Sequence, residues 1–261
     1  RHKQDNMGMN SSNRVAIVIG ASGGIGGGCV RQLCADADTQ TVFAVSRSLE
    51  DASPLNIASG KSKLSLLRSD SSKASMLRVV EQIRTQLPIG GQPEFDIVIA
   101  TGLLHNGSLQ PEKRIDTLDR ESALDVLETN TLMPMLWLQS LSSLFGKNVV
   151  ARVAVLSARV GSISDNQLGG WYSYRASKAA LNMMLKSLSV EFGRRFPNVK
   201  LLAYHPGTTK SQLSAPFSSN VPSNKLFSSD FSAERLVSVM RDQPLDKTLS
   251  FVAWDGAPIE W

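Results

Sequence analysis

Tyr174 and Lys178 are the side chains whose types and spacing best suit chemistry in this sequence. In a helix, positions i and i+4 share a face, so both can reach one site. A free tyrosine, with a pKa of about 10, is a poor proton carrier at neutral pH. A nearby ammonium favours the phenolate and lowers that value. The pair is therefore expected to move a proton, with Tyr174 giving it to a carbonyl oxygen as hydride arrives, or removing it in reverse.

A second set of residues could hold the hydride carrier. The apolar run Val15–Ile19 leads into Gly20-Ala-Ser-Gly-Gly-Ile-Gly26 and then a helical pattern. Glycines allow tight turning and close approach of a phosphate, and the amides at a helix start bind it. A glycine pattern between the first strand and first helix is the context a dinucleotide loop requires. Gly20, Ser22, Gly24, Ile25 and Gly26 are its candidate cofactor-binding residues. The second run ends Ala44-Val45-Ser46-Arg47. An acidic residue at this place takes the ribose 2′-hydroxyl in NAD-binding folds. Ser46 and Arg47 stand there instead, and Arg47 suits a 2′-phosphate. The expected cofactor is NADP(H) in preference to NAD(H), with Lys178 also holding the nicotinamide ribose.

The elements that must position these residues alternate along the chain. Short apolar runs fall at Val15–Ile19, Thr41–Val45, Leu64–Leu67, Asp96–Ala100, Ala151–Leu156, Lys200–Tyr204 and Ser250–Ala253. Several are continuously apolar, as in strands buried on both faces of a parallel sheet. Helical patterns lie between them at Gly24–Asp36, Lys73–Leu87, Arg120–Phe145, Tyr172–Phe196 and Ala233–Asp242, the third bending near Pro134. The alternation predicts α/β architecture, a single Rossmann-type doubly wound domain over 14–261, with a mostly seven-stranded parallel sheet flanked by helices. The polar segment 1–13 is expected to be flexible. Ser211–Asp230 is rich in Ser, Asn and Pro and reads either as a solvated loop or as a lid over a pocket.

Composition bounds the partners. The net charge is +5 over 261 residues, without a dense basic tract, so no nucleic-acid partner is expected. No apolar run is long enough to span a membrane. The three histidines, His2, His105 and His205, lack metal-ligand spacing, so no metal is expected. Cys29 and Cys34 are five apart in one helical pattern, unsuited to a disulfide, which favours a reducing, cytoplasmic setting.

Tyr174-Arg-Ala-Ser-Lys-Ala-Ala-Leu-Asn182 and the Gly20-x3-Gly24-x-Gly26 spacing resemble the classical short-chain dehydrogenase/reductase family over about residues 14–261. Ser157-Ala-Arg-Val-Gly-Ser-Ile163, Gly169-Gly170 and the ending Phe251–Trp261 resemble its C-factor-like and sniffer-type carbonyl reductase branch. The resemblance implies oxidation or reduction of a small carbonyl or alcohol. It implies that Asp70 bonds the adenine amino group, although Asp70 or Ser71 could equally cap a helix. Ala100-Thr101-Gly102 stands where the family has Asn-Ala-Gly and lets the backbone pass the cofactor. Asn130 would hold a proton-relay water. Pro206, Gly207, Thr208 and Thr209 would contact the nicotinamide carboxamide. The family's carbonyl-polarising serine usually follows another serine, and here that second position is Ala158. Ser157 is the nearest candidate and Ser162 the next. The alternative reading is a nicotinamide-binding signalling or regulatory protein with little turnover. Family members pair through long helices, here Arg120–Phe145 and Tyr172–Phe196, which implies a homodimer or homotetramer.

Overall fold

The computed structural model describes residues 13–48, 55, 63–87, 92–217, 222 and 225–261. Apart from Asn13, the segment 1–13 lies outside them, as do parts of Ser211–Asp230. The seven apolar runs form β1 (Arg14–Ile19), β2 (Thr39–Ser46), β3 (Lys63–Arg68), β4 (Glu94–Ile99), β5 (Val150–Leu156), β6 (Val199–His205) and β9 (Leu249–Ala253). They join one sheet in the order β3-β2-β1-β4-β5-β6-β9, with every pairing parallel. Two short strands, β7 (Thr208–Thr209) and β8 (Leu226–Phe227), pair with each other outside it.

Helices cover both faces, which is why the strands read as continuous apolar runs. In β1, Val15, Ile17 and Ile19 pack on one side with residues of α2 (Lys73–Thr85), α4 (Met133–Leu141) and α5 (Tyr172–Arg195). Ala16 and Val18 face the other side, against α1 (Gly24–Ala35) and α6 (Ser229–Arg241). The order along the sheet reverses between β1 and β4, so the crevice at their carboxyl ends is the topological switch point, the usual ligand site of such sheets.

Two elements differ from expectation for local reasons, and a third does more than expected. The expected helix Arg120–Phe145 is α3 (Arg120–Leu127), a π turn (Glu128–Leu132), α4 and a short 3₁₀ turn (Ser142–Leu144). Pro134 has no amide hydrogen for the carbonyl four residues back, and its ring crowds that carbonyl. The chain widens just before it, and the Met133 amide donates to the Glu128 carbonyl, five residues back. Helix α6 begins at Ser229, four residues before Ala233, because the Ser228 hydroxyl accepts from the Phe231 amide at 3.1 Å and caps it. Thirdly, the glycines of α1 also serve packing. A Cβ on Gly28 would lie 2.7 Å from the Ser229 carbonyl oxygen and 2.9 Å from the Ala233 Cβ, and one on Gly24 would lie 2.9 Å from the Ser229 hydroxyl. Small residues four apart let α6 press against α1.

Candidate active site

The glycine loop is packed too closely for side chains at Gly20 and Gly26. Gly20 has φ +83°, and a Cβ there would meet the Ala100 carbonyl oxygen at 2.9 Å. A Cβ on Gly26 would lie 2.2 Å from the Gly20 carbonyl oxygen, so only glycine lets the helix start this close to the loop. Gly23 occupies the N-cap with no side-chain hydrogen bond. The first amides of α1 are therefore uncapped, in the position where helix starts receive phosphate. Ser46 donates to the Ser22 hydroxyl at 2.7 Å and braces the loop against the end of β2.

Two connected hollows run from this loop along the strand ends, about 490 Å³ and 950 Å³. The smaller one is walled by Ser46, Arg47, Asp70 and Ser71, the larger one by Gly24, Ile25, Gly26, Ser157, Tyr174 and Lys178. Ala100, Thr101, Gly102 and Arg47 border both. Arg47 is exposed, with no ion-pair partner among the described residues. Asp70 is exposed, and its carboxylate accepts from the Ser72 amide at 2.9 Å, which holds it below the usual carboxylate range. The cap of α2 is neither Asp70 nor Ser71 but Ser72, whose hydroxyl accepts from the Ser75 amide. Ser71 takes a left-handed φ of +66° to make that turn.

Asn130 sits in the π turn, fully buried. Its carboxamide pairs with Leu103 twice, accepting from the amide and donating to the carbonyl, each at 2.7 Å. The same nitrogen donates to the Ser177 hydroxyl at 3.1 Å, and Ser177 donates to the Tyr174 carbonyl at 2.8 Å. The side chain thereby ties the backbone after β4 to the helix carrying the tyrosine. The widened turn brings Asn130 and Thr131 together onto Ser177, whose carbonyl accepts from the Thr131 hydroxyl at 2.7 Å.

Tyr174 and Lys178 lie one turn apart on α5 and face the larger hollow. The Lys178 ammonium donates to the Leu156 carbonyl at 2.8 Å and lies 5.8 Å from the centre of the Tyr174 ring. Burial pushes Lys178 down to about 7 and Tyr174 up to about 12. Tyr174 therefore lies above the usual tyrosine value, not below it as the neighbouring lysine led us to expect. Desolvation of both groups outweighs their attraction. Ser157 borders the hollow and donates to the Asn182 carboxamide oxygen at 2.7 Å. Ser162 does not border it and is turned inward, accepting from the Asp165 amide at 3.1 Å and bonding the Ser164 hydroxyl. Ala158 buries its methyl in the apolar cluster holding Tyr174, with Leu104, Leu109 and Val126.

The segment after β6 divides. Pro206 borders the larger hollow, whereas Gly207, Thr208 and Thr209 do not. Gly207 takes φ +71° beneath the Phe227 ring, and the Thr209 hydroxyl bonds Ser232 at 2.7 Å inside the fold. Half-buried His205 is pushed down by desolvation to about 4, hence neutral, and is not among the residues bordering either hollow.

Sequence reasoning missed several supports. Buried Glu112 accepts from the Ser173 hydroxyl and, at 3.2 Å, from its amide, capping the start of α5 one residue before the tyrosine. Its own carbonyl accepts from the Trp171 amide. Gly169, Gly170 and Trp171 are all left-handed, at φ +64°, +64° and +52°. Only tertiary contacts hold a tryptophan in that region. Its indole packs edge-on against Tyr174 and Phe217, with centroids 6.1 and 5.1 Å apart. His105 bonds the Gln212 and Leu213 carbonyls at 3.0 and 3.1 Å, pinning residues 211–217 against the loop after β4. An isolated Glu after a Pro-containing loop carries no sequence signal.

A parallel seven-stranded sheet with a glycine-lined crevice at its switch point, bordered by a tyrosine–lysine pair, is a Rossmann-type fold. Residues 14–222 match the family model described as short chain dehydrogenase. The chain belongs to the short-chain dehydrogenase family. It is 35% identical over 103 residues, 40% of this chain, to the 1-hydroxy-2-glutathionyl-2-methyl-3-butene dehydrogenase of Rhodococcus sp. (strain AD45). It is 37% identical over 70 residues, 27% of this chain, to C-signal of Myxococcus xanthus. These stretches span 44% and 41% of the two relatives. The NADPH-bound carbonyl reductase from chicken fatty liver shares the fold at a TM-score of 0.77 and 23% identity, covering 95% of this chain and 99% of that one.

Proposed function

We propose that this chain is an NADP(H)-dependent reductase of small carbonyl compounds, or a dehydrogenase of the matching alcohols, with Tyr174 as the proton donor and acceptor. The observation that carries the reading is the convergence of the uncapped glycine loop, Arg47, Tyr174 and Lys178 on one crevice. The crevice fits a dinucleotide in three respects. Gly20 and Gly26 leave a cradle that a Cβ would fill. The buried Thr101 hydroxyl has no partner among the described residues. Arg47, exposed at the β2 end, stands where a 2′-phosphate would be met. Bound there, a nicotinamide would supply or accept hydride.

The chain's own residues handle the rest. The first amides of α1 would hold pyrophosphate, with Ser22 beside them. Asp70 would accept from adenine, and Lys178 would hold a ribose. Ser157 and Tyr174 would face the substrate carbonyl, where an oriented hydroxyl stabilises developing negative charge. The chicken reductase's bound NADPH and the Rhodococcus relative's dehydrogenase name agree with this assignment. The carbonyl reductase branch and a cytoplasmic setting belong to the same proposal, as does a single domain over 14–261. A homodimer or homotetramer belongs to it too, through the face where α4 and α5 expose Leu136, Met183 and Val190.

The alternative, a nicotinamide-binding regulator with little turnover, draws on Ala158 and the likeness to C-signal. Titration with NADPH and NADH followed by a carbonyl panel separates the two. Tight NADPH binding with Tyr174-dependent turnover supports the reductase. Binding without turnover of any carbonyl supports the regulator, and binding of neither cofactor overturns both.

A further inference from the structure

We propose that Asn182 is a positioning residue that decides where the Ser157 hydroxyl aims its proton, and so whether Ser157 can polarise a substrate carbonyl. The inference rests on the reductase reading above.

Ser157 and Asn182 are 4% and 3% exposed, and the serine donates to the carboxamide oxygen at 2.7 Å. A hydroxyl has one proton. While Asn182 takes it, Ser157 shows only lone pairs to the crevice and cannot stabilise a carbonyl oxygen. The other end of the carboxamide, Nδ2, is buried without a hydrogen-bond partner among the described residues. An orphaned buried donor is costly. A half-turn of the carboxamide places Nδ2 on the Ser157 oxygen. It then donates, and the serine proton is released toward the crevice. One pair of residues thus supports two hydrogen-bond polarities, and only the second suits carbonyl polarisation.

Two placements give this switch its function. Asn182 follows Tyr174 and Lys178 at successive steps of four on α5, so the three share a helix face. Ala158, at the place of the expected serine, offers only a methyl, which is packed into the tyrosine's apolar cluster. Ser157 borders the same hollow as Tyr174, and its hydroxyl donates to Asn182.

The test compares wild type, Ser157→Ala, Asn182→Asp and the double variant. An aryl aldehyde serves as probe substrate across pH, and NADPH fluorescence titration serves as the control for folding and cofactor binding. An ionised aspartate only accepts, so it traps the serine proton. Ser157→Ala is expected to lower kcat on the order of 10²-fold. Asn182→Asp is expected to match it at about pH 8 and to recover as the pH falls and the buried carboxyl is protonated. The double variant should lose no more than either single one, with NADPH affinity kept throughout. Wild-type kcat in Asn182→Asp, or losses that multiply in the double variant, would overturn the proposal. Should Asn182→Asp fail to bind NADPH, the side-chain amide signal of Asn182 in the wild-type NMR spectrum decides. A shift on adding NADP+ and the aldehyde's alcohol product supports the turn, and an unmoved signal overturns it. A wild type that turns over no carbonyl brings down the reductase reading itself, and this inference with it. That result is distinct from a working wild type with an unaffected Asn182→Asp.

Discussion

Lys178 and Tyr174 are held in unfavourable protonation environments by the fold around them. The lysine's folded pKa is about 7, against an ordinary 10.5, because it is buried. Between those values the unfolded chain carries a proton that the folded chain lacks, so stability from this group rises with pH across that window. Replacing Lys178 by Met is expected to raise the melting temperature at about pH 7 while abolishing turnover, and to narrow the gain between about pH 7 and pH 9. Thermal melts at the two pH values check it, and a lower melting temperature for the variant at neutral pH would count against the burial account. Tyr174→Phe should cost about 10²- to 10⁴-fold in kcat, the usual worth of a positioned proton donor, and leave NADPH binding intact. Arg47→Ala should weaken NADPH by roughly 10- to 100-fold, the worth of a lost charge-assisted contact, and leave NADH unchanged. Fluorescence titration with both cofactors measures that difference, and an equal loss for the two would remove Arg47 as the 2′-phosphate ligand.

Elements place those residues through a few close approaches. The π turn before Pro134 carries Asn130 to Leu103 and Ser177, so a proline's missing amide sets where the crevice floor meets α5. Helix α6 anchors the segment after β6 by pressing on the glycines of α1, helped by the Arg31–Asp230 ion pair. Gly28→Ala would drive a methyl into the Ser229 carbonyl at 2.7 Å. Overpacking of this kind typically costs about 1–3 kcal/mol. Chemical denaturation should show that loss, and because α1 also presents the phosphate amides, NADPH affinity should fall with it. An unchanged unfolding midpoint would mean that the helices separate without penalty.

Across the whole molecule, the end of the sheet opposite the crevice is tied by charge. Asp96 is fully buried in β4, and burial raises its pKa. Arg241 of α6 donates to it and to Asp36, each at 2.8 Å. Arg241→Leu leaves Asp96 buried without its main partner, a change that typically costs about 3–5 kcal/mol. For a carboxyl whose folded pKa is raised, acidification relieves the penalty, so the variant's deficit should shrink as pH falls toward that raised value. Denaturant melts at neutral and mildly acidic pH test both size and sign. A deficit that grows on acidification would show that Asp96 is not the strained group.

The seven strands, the glycine loop and the 174/178 pair were legible in the sequence because each rests on local rules. Buried parallel strands are apolar throughout, a phosphate loop needs glycine at particular turns, and a helix repeats its face every four residues. Ser228 as a helix cap was equally local and was hidden only by the serines around it. Other features were settled by the tertiary structure, because they depend on which distant segments meet. Glu112 caps α5 from 61 residues away, and Asn130 reaches Ser177 across 47. Ser157 and Ser162 are chemically alike in sequence, and the fold alone turns one to the crevice and the other into a loop. The tyrosine's pKa followed the same division. Spacing placed a lysine beside it, but desolvation is a property of the packed interior, and it was the larger effect.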